Sequence, residues 1–250
     1  MHIHLLTLFP EVCYPYLDTS ILGRAQKSGR LQVSVYDIRN HAFDRNRVTD
    51  DAPYGGGGGM VIKPEPAFAA VESIMDTESD VSEVILLTPQ GRLFSQDLAH
   101  ELSKLDNIIL ISGRYEGFDE RIREHLTTDE ISVGDFVVTG GELPALLIVD
   151  AIARLIPGVL GAVGAAADDS HGQSGLLEYP QYTRPVNFRG WTVPEVLVSG
   201  NHEKIAEWRI KQSLLRTWQR RPDLLLEAQL SEYEKESLAE LTEELMVKWK

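Results

Sequence analysis

Cysteine is almost absent from this sequence of 250 residues, which contains only Cys13. A single cysteine excludes an internal disulfide framework and a zinc site built from several cysteines. No cysteine–histidine motif surrounds it, so we expect a buried thiol without a catalytic role. Such sparse use of cysteine is typical of cytoplasmic proteins.

The sequence also lacks a hydrophobic run long enough to span a lipid bilayer. Its first residues, MHIHLLTLFPEV, have neither the basic start nor the long apolar centre and cleavage site of a secretory signal. We interpret them as the first β-strand. The sequence therefore predicts a cytoplasmic protein with no membrane partner.

Familiar motifs for metals, nucleophiles and phosphates are missing as well. The seven histidines show no HExxH motif and no paired ligand spacing, so a transition-metal site is not expected, and no GxSxG motif supports serine hydrolase chemistry. The five glycines at 55–59 are not followed by Lys-Ser/Thr, and Met60 stands where a dinucleotide fingerprint needs its third glycine. This segment is either a flexible loop or a place where backbone approaches a ligand or partner.

Positive charge is scarce overall, with a formal net charge of −14. Taken alone, this value argues against a nucleic-acid partner. The charge is uneven, however, because residues 184–221 hold eight basic side chains and three acidic ones. Phosphates respond to the local patch, so an RNA partner stays open.

Residues 1–155 alternate apolar strand patterns with helical patterns, which predicts an α/β fold with a mostly parallel sheet. Glycine-bearing loops at 89–91, 113–117 and 140–144 follow strands, at the edge where such sheets bind ligands. We expect these loops to form the walls of one pocket. The predicted strands are 3–9, 31–38, 83–88, 107–112 and 136–139, and the predicted helices include 64–75, 95–105, 119–126 and 142–155.

The remainder of the chain predicts a different organisation. Residues 159–180 are small and glycine-rich, which is typical of a mobile linker, and residues 181–250 predict a small all-α domain. Residues 201–218 space their apolar side chains as a helix does, with Asn201 as N-cap, and Ser231 is expected to cap the last helix. The α/β domain is assigned to residues 1–158.

Three polar features allow a structural and a functional interpretation. Tyr115 and Glu116 either form a tight turn or contact a polar, cationic ligand. Arg154 ends an apolar helix, where it stabilises either the helix C-terminus or negative charge on a substrate. The acidic pair Asp168 and Asp169 lies in the linker, and its spacing alone favours simple solvation.

An ordered set of segments resembles the bacterial tRNA (guanine-N1-)-methyltransferase family, which belongs to the knotted SPOUT class. The set covers nearly the whole chain and excludes only the last helix. The resemblance implies a deep trefoil knot at the end of the α/β domain, a rare topology, and an obligate homodimer whose sites use both chains. The segments are LTLFP, DDAPYGGGGGM, LTPQG, SGRYEGFDERI, SVGDFVVTGGELP, IARLIPGVLG, QYTRP and VSGNHEKIAEWRIKQSLLRTWQRRPDLL.

The same resemblance implies a reaction. A methyl group passes from S-adenosylmethionine to N1 of the guanine immediately 3′ of the tRNA anticodon, with a preference for a second guanine on its 5′ side. The helical domain, with its basic stretch, is then expected to bind the tRNA anticodon arm, and no DNA partner is expected. Mg²⁺ assists catalysis in the family, but no ligand for it can be named in this sequence.

The resemblance also assigns roles to residues. Asp169 matches the general base that removes the N1 proton, with Asp168 as the alternative, and Arg154 matches the arginine that stabilises charge spreading toward O6. In this interpretation, tRNA orders residues 160–175. The S-adenosylmethionine pocket matches Leu87, Pro89, Gln90, Gly113, Tyr115, Glu116, Val133, Gly134, Asp135, Phe136, Val137, Val138, Gly140, Gly141 and Pro144.

Two departures from the family pattern concern loops. Gly58 replaces the proline of the usual GGGPGM, which is expected to loosen that loop, and His171 stands where an aromatic residue is common. The alternatives are a related methyltransferase acting on ribosomal RNA, a non-catalytic RNA-binding protein and a simple nucleotide-binding domain. The pairing of Arg154 with Asp169, together with the helical domain, favours the tRNA enzyme.

Overall fold

The computed structural model of the protein describes residues 1–78, 80–161 and 169–248. The chain forms two compact units, Met1–Val163 and Gly164–Lys250. The centre of the predicted linker, including Asp168, lies outside the described residues.

The first unit is built on a five-stranded sheet in which every neighbouring pair is parallel, as the sequence predicted. Its spatial order is β2-β1-β6-β5-β7, and two very short strands, β3 and β4, pair separately. The strands are β1 His2–Thr7, β2 Gln32–Asp37, β3 Asp50–Asp51, β4 Val61–Ile62, β5 Glu83–Leu93, β6 Asn107–Ser112 and β7 Asp129–Ser132.

Helices cover both faces of this sheet, because alternate residues of each strand point to opposite sides. Ile3 and Leu5 belong to one buried cluster and Leu6 to the other. The first cluster includes side chains of α2, α4 and α6, and the second includes side chains of α3. The helices are α1 Tyr14–Leu17, α2 Ser20–Lys27, α3 Pro64–Met75, α4 Gln96–Leu102, α5 Glu120–His125 and α6 Glu142–Ala153, with 3-10 turns at Pro10–Val12 and Ile38–His41.

The strand predicted at 136–139 is wrong. The fifth strand of the sheet is instead β7, which ends at Ser132 in a tight turn: the Ser132 hydroxyl donates to the Gly134 carbonyl at 3.1 Å, and Gly134 has φ +155°. The apolar residues beyond this turn leave the core, and the side chain of Val137 is 84% exposed. Phe136, Val137 and Val138 line a cavity and do not pair in the sheet.

Strand β5 runs further than the predicted 83–88 and carries a bulge. Leu87 and Arg92 both pair with Ile131 of β7, so residues 88–91 loop out of the sheet between them. A Cβ atom on Gly91 would lie 2.4 Å from the backbone nitrogen of Ile131. Glycine is therefore required where the bulge returns to the ladder.

The second unit is mostly helical, but the expected all-α domain also contains a short β-hairpin. The predicted caps are confirmed, since Asn201 accepts from the Lys204 N–H at 3.1 Å and Ser231 accepts from the Glu234 N–H at 3.3 Å. The elements are β8 Asn187–Phe188, β9 Trp191–Thr192, α7 Glu195–Val198, α8 His202–Arg220, α9 Leu224–Glu227 and α10 Glu232–Lys248.

Membrane insertion finds no support in the helices. Within residues 1–78, 80–161 and 169–248, no helix combines the length and the apolarity that crossing a bilayer requires.

The lone cysteine is fully buried in the first unit, as expected. Burial raises the pKa of the Cys13 thiol to about 11, and the negative charges of Glu142 and Glu11 act in the same direction. The unfolded chain therefore loses this proton at lower pH than the folded chain does.

The Cys13 thiol predicts a loss of stability in alkali. Since its folded-state pKa lies above its ordinary value, its contribution is complete below about pH 9 and is lost as the pH rises toward 11. Between pH 8 and pH 10.5, we expect wild-type protein to lose about 2 kcal/mol more than Cys13→Ala. Urea unfolding followed by far-UV circular dichroism measures this difference, and parallel pH curves for the two proteins would contradict it.

Candidate functional site

The carboxyl edge of the sheet holds a cavity of about 450 Å³. The three glycine-bearing loops meet around it, as the sequence predicted. The lining residues are Leu86, Leu87, Thr88, Pro89, Gln90, Gly113, Arg114, Tyr115, Glu116, Gly117, Phe118, Glu120, Arg123, Ile131, Ser132, Val133, Gly134, Phe136, Val137, Val138, Thr139, Gly140, Gly141 and Pro144.

All the residues matched to a cofactor pocket line this cavity except Asp135, which is exposed and does not line it. Their role in binding stays a prediction. Periodic patterns do not single out the two arginines in the wall, Arg114 and Arg123, because most of their partners lie on other elements.

The adjacent glycines Gly140 and Gly141 lie where the last loop crosses the end of β6. The Gly141 N–H donates to the Gly113 carbonyl at 2.8 Å, and the Ser112 hydroxyl donates to the Gly141 carbonyl at 3.2 Å. A Cβ atom on Gly141 would lie 2.8 Å from the Ser112 Cα atom and 2.9 Å from the Gly113 nitrogen. The neighbouring loop, not a ligand, therefore already requires glycine at 141.

A buried carboxylate follows this crossing directly. Glu142 in the first turn of α6 is 1% exposed and accepts from the Thr7 hydroxyl at 2.7 Å. The Arg114 Nε atom lies 3.0 Å from the other carboxylate oxygen, but the two are not aligned for a hydrogen bond, so their contact is electrostatic. This group joins the end of β1, the 113–117 loop and the start of α6.

Arg114 also has aromatic and backbone contacts that fix its position. Its guanidinium carbon lies 4.6 Å from the centroid of the Phe9 ring, and its Nη1 donates to the Thr139 carbonyl at 3.3 Å. A cation over an aromatic face is attracted by the ring quadrupole. Arg114 therefore holds the cavity wall together rather than projecting freely into it.

Tyr115 and Glu116 occupy a strained turn at the cavity. Tyr115 has φ +61°, a left-handed conformation that is uncommon for a residue with a side chain, and it is 52% exposed. The Gly117 N–H closes the turn on the Arg114 carbonyl at 3.1 Å, and the Glu116 N–H donates to the Met60 carbonyl at 3.0 Å. The turn thus presents an aromatic ring and a carboxylate together.

The run of five glycines reaches this turn at one end. Gly55, Gly56, Gly57 and Gly59 have positive φ, and a Cβ atom on Gly59 would lie 2.4 Å from a Glu116 carboxylate oxygen. Gly58 has neither a positive φ nor a neighbour within 4 Å of an added Cβ. The loop therefore needs glycine at four positions for its conformation, and at Gly58 it does not.

The other wall has a rim of polar contacts on α5. The Arg123 guanidinium lies 3.0 Å from a Glu130 carboxylate oxygen and 3.4 Å from one of Glu120, and it hydrogen-bonds to the Gln90 side chain. Gln90 belongs to the bulge of β5. The bulge is therefore attached to the helix that follows the central loop.

The two residues matched to catalysis belong to different units. Arg154 is exposed and forms the C-cap of α6 in the first unit, where its N–H bonds the Asp150 and Ile152 carbonyls. Asp169 is the first residue described after 161, and its carbonyl accepts from the Gly172 N–H at 2.8 Å. Asp169 also lines a cavity of about 640 Å³ within the second unit, with Arg209 among the other lining residues.

The crossing at Gly141 predicts a sharp effect of one methyl group. We expect Gly141→Ala to lower the free energy of unfolding by about 1–3 kcal/mol, because backbone atoms would have to move apart. The matched control is Gly58→Ala, where the added Cβ meets no atom within 4 Å. Urea unfolding measures both variants, and equal stability of the two would contradict the crossing.

Comparisons with known proteins extend over almost the whole chain. The family model of tRNA (guanine-1)-methyltransferase TrmD matches residues 1–227, which leaves out only α10 and the residues next to it.

Three similar proteins are each named tRNA (guanine-N(1)-)-methyltransferase. That of Staphylococcus aureus strain JH9 is 54% identical over 238 residues, covering 95% of this chain and 96% of its own. That of Moorella thermoacetica is 53% identical over 243 residues, covering 97% of each chain. That of Bacillus subtilis strain 168 is 50% identical over 244 residues, covering 98% of this chain and all of its own.

Proposed function

Because this chain belongs to the tRNA (guanine-1)-methyltransferase TrmD family, we propose that it transfers the methyl group of S-adenosylmethionine to N1 of the guanine immediately 3′ of the tRNA anticodon. The observation that carries the proposal is that the three glycine-bearing loops, at 89–91, 113–117 and 140–144, meet around one cavity of about 450 Å³. Pockets for small ligands and cofactors fall in the range of about 300–1,000 Å³.

The cavity walls suit such a donor chemically. Leu87, Val137 and Val138 offer apolar surface for a purine, and the many glycines leave backbone groups open to hydrogen bonding. The Glu116 carboxylate and the Tyr115 ring would favour a cation such as a sulfonium. When bound, the donor supplies a methyl group on a positively charged sulfur.

The guanine needs help from the protein, since N1 carries a proton at neutral pH and is a poor nucleophile until the proton leaves. We assign its removal to the Asp169 carboxylate, with Asp168 as the alternative base outside the described residues. Negative charge then spreads toward O6, where the Arg154 guanidinium stabilises it. The family's use of Mg²⁺ is expected here too, and no residue is assigned as its ligand.

Since the proposed base and the proposed cation lie in different units, the proposal includes control by substrate. tRNA is expected to order residues 160–175 and to bring Asp169 to the target base. Arg154, by contrast, is attached to a helix that packs on the central sheet. One half of the catalytic pair is thus fixed in advance.

The second unit offers groups for holding a single-stranded loop of RNA. In its β-hairpin, Phe188 is 53% exposed and Trp191 is 70% exposed, and the Arg189 guanidinium lies 5.2 Å from the Phe188 ring centroid. Aromatic rings and arginine planes stack on unpaired bases. Two cations of the basic stretch at 184–221 already have acidic partners within the unit. Lys211 pairs with Glu240 at 3.2 Å, and Arg221 pairs with Asp223 at 2.5 Å.

An exposed apolar stripe on α6 supports the proposed homodimer. Leu143 is 64% exposed and Leu147 is 47% exposed, and their spacing of four places them on one helix face. Tyr16, 47% exposed, lies beside this stripe, because its hydroxyl donates to Asp150 one turn further on at 2.7 Å. Contiguous exposed apolar surface marks an interaction site.

We also propose that the crossing at Gly141 belongs to the trefoil knot.

A pair of substrates tests the proposed function. Labelled S-adenosylmethionine is incubated with two tRNA transcripts that differ only in carrying guanine or adenine immediately 3′ of the anticodon. We expect label only in the first, recovered as N1-methylguanosine. Equal labelling would place the target elsewhere on the RNA, and no labelling of either would contradict the proposed substrate.

The proposed base predicts a specific loss of rate. Asp169→Asn is expected to lower the single-turnover rate of methyl transfer by about 10²–10⁴, because it removes the group that accepts the N1 proton. The rise in melting temperature caused by S-adenosylmethionine should be unchanged, since Asp169 is assigned no contact with the donor. If Asp168→Asn causes the loss instead, the base is Asp168, and if neither variant is slow, the base lies elsewhere.

A further inference from the structure

A second polar cluster lies in the first unit at the edge of the sheet opposite the cavity. His2 and His4 lie in the first half of β1, and Glu78 follows the C-terminus of α3. The sequence alone predicts no paired histidine ligands. In a strand, however, a spacing of two places both side chains on the same face.

The three residues converge as metal ligands do. One ligand atom of each lies within 4.8 Å of the ligand atoms of the other two. The Nδ1 atom of His2 is 3.3 Å from a Glu78 carboxylate oxygen. Glu78 is 32% exposed, so its side chain has room to close the cluster further.

Hydroxyl groups of the neighbouring strand β2 engage the other ring nitrogen of each histidine. The His2 Nε2 atom lies 2.8 Å from the Ser34 hydroxyl, and the His4 Nδ1 atom lies 3.1 Å from the Tyr36 hydroxyl. Outer hydrogen bonds of this kind fix the orientation and tautomer of metal-binding histidines. The nitrogens left for an ion are Nδ1 of His2 and Nε2 of His4.

The Nε2 atom of His4 points to a ligand independently of this spacing. His4 is completely buried, and its Nε2 has no hydrogen-bond partner among the described residues. An unpaired buried polar atom costs free energy that a ligand would recover.

We propose that His2, His4 and Glu78 bind a divalent first-row transition-metal ion such as Zn²⁺. Two imidazoles and one carboxylate suit such ions, whereas Mg²⁺ prefers oxygen ligands only. Bonds of about 2.0–2.1 Å place tetrahedral ligands about 3.4 Å apart, so the cluster closes by about an ångström when it binds the ion. Water completes the coordination. The bound ion ties the first strand to the segment that follows α3.

The competing account is that the cluster binds no metal and that Glu78 pairs only with His2. Zn²⁺ is therefore titrated into the untagged, metal-free full chain by calorimetry, in the presence of millimolar Mg²⁺. We expect one Zn²⁺ per chain, and at one hundred times its Kd a rise of about 5–10 °C in melting temperature.

Three substitutions identify the site. Glu78→Gln keeps the shape of the partly exposed side chain and removes its charge, so we expect at least about 10-fold weaker Zn²⁺ binding. Tyr36→Phe removes the hydroxyl that orients His4 and should weaken binding by about 10-fold. Glu124→Gln is the matched control, because Glu124 lies 3.7 Å from His125 in an exposed pair that, among the described residues, belongs to no cluster of three metal-ligating groups.

The melting temperature of each variant without metal shows whether it is folded. Binding that is weakened by Glu78→Gln and Tyr36→Phe, and unchanged by Glu124→Gln, supports the site. The proposal would be overturned if wild-type protein bound no Zn²⁺ in the titration, or if wild type and Glu78→Gln bound it with equal affinity. A loss of binding in Glu124→Gln alone would place the ion at His125 and overturn it as well.

Discussion

The first unit depends on a close crossing of two backbone segments at Gly141. The N–H and carbonyl groups of this glycine are both hydrogen-bonded to the end of β6 and the loop after it, to the Gly113 carbonyl at 2.8 Å and the Ser112 hydroxyl at 3.2 Å. This contact determines where α6 begins. Since β7 ends at Ser132, residues 133–140 must span the gap, and they do so along the cavity wall. The shape of the cavity is therefore a consequence of the crossing.

The buried carboxylate of Glu142 fixes the arrangement of the segments that meet at this crossing. Taking an ion out of water costs several kcal/mol, and the cost is offset only where partners are well placed. Thr7 supplies a hydrogen bond from the end of β1, and Arg114 supplies a positive charge from the loop after β6. An apolar residue at this position would pack equally well in several arrangements. The Glu142 carboxylate has both partners only in one arrangement. The end of β1, the loop after β6 and the start of α6 are therefore held in a single relative position.

Much of the fold could be predicted from periodicity, because the interior is made by regular elements. Helix α3 and strand β6 have the boundaries that the sequence predicted, at 64–75 and 107–112. The strand predicted at 136–139 failed because an apolar residue in the wall of a cavity looks the same in sequence as one in a core. Strand β5 was cut short because Pro89 and Gly91, which build its bulge, are also typical of loops.

The walls of the cavity were predicted, whereas the contacts that hold them were not. Loop positions follow from strand ends, which the sequence shows. The contact of Arg114 with Glu142 joins residues 28 positions apart, and no periodic pattern encodes it. The cluster of His2, His4 and Glu78 was missed for a similar reason, since Glu78 lies far along the chain from the two histidines and no motif links them.

Under the proposed function, the division into two units separates the methyl donor from the base along the chain. A cavity that carried its own base would hold the donor beside an activated proton acceptor even without RNA. Here the proposed donor site lies within the first unit, whereas Asp169 belongs to the second. If Asp169 is the base, the group that makes guanine nucleophilic is expected to reach the donor only when RNA engages the second unit. Binding of the correct RNA, rather than binding of the donor, therefore becomes the step that permits chemistry.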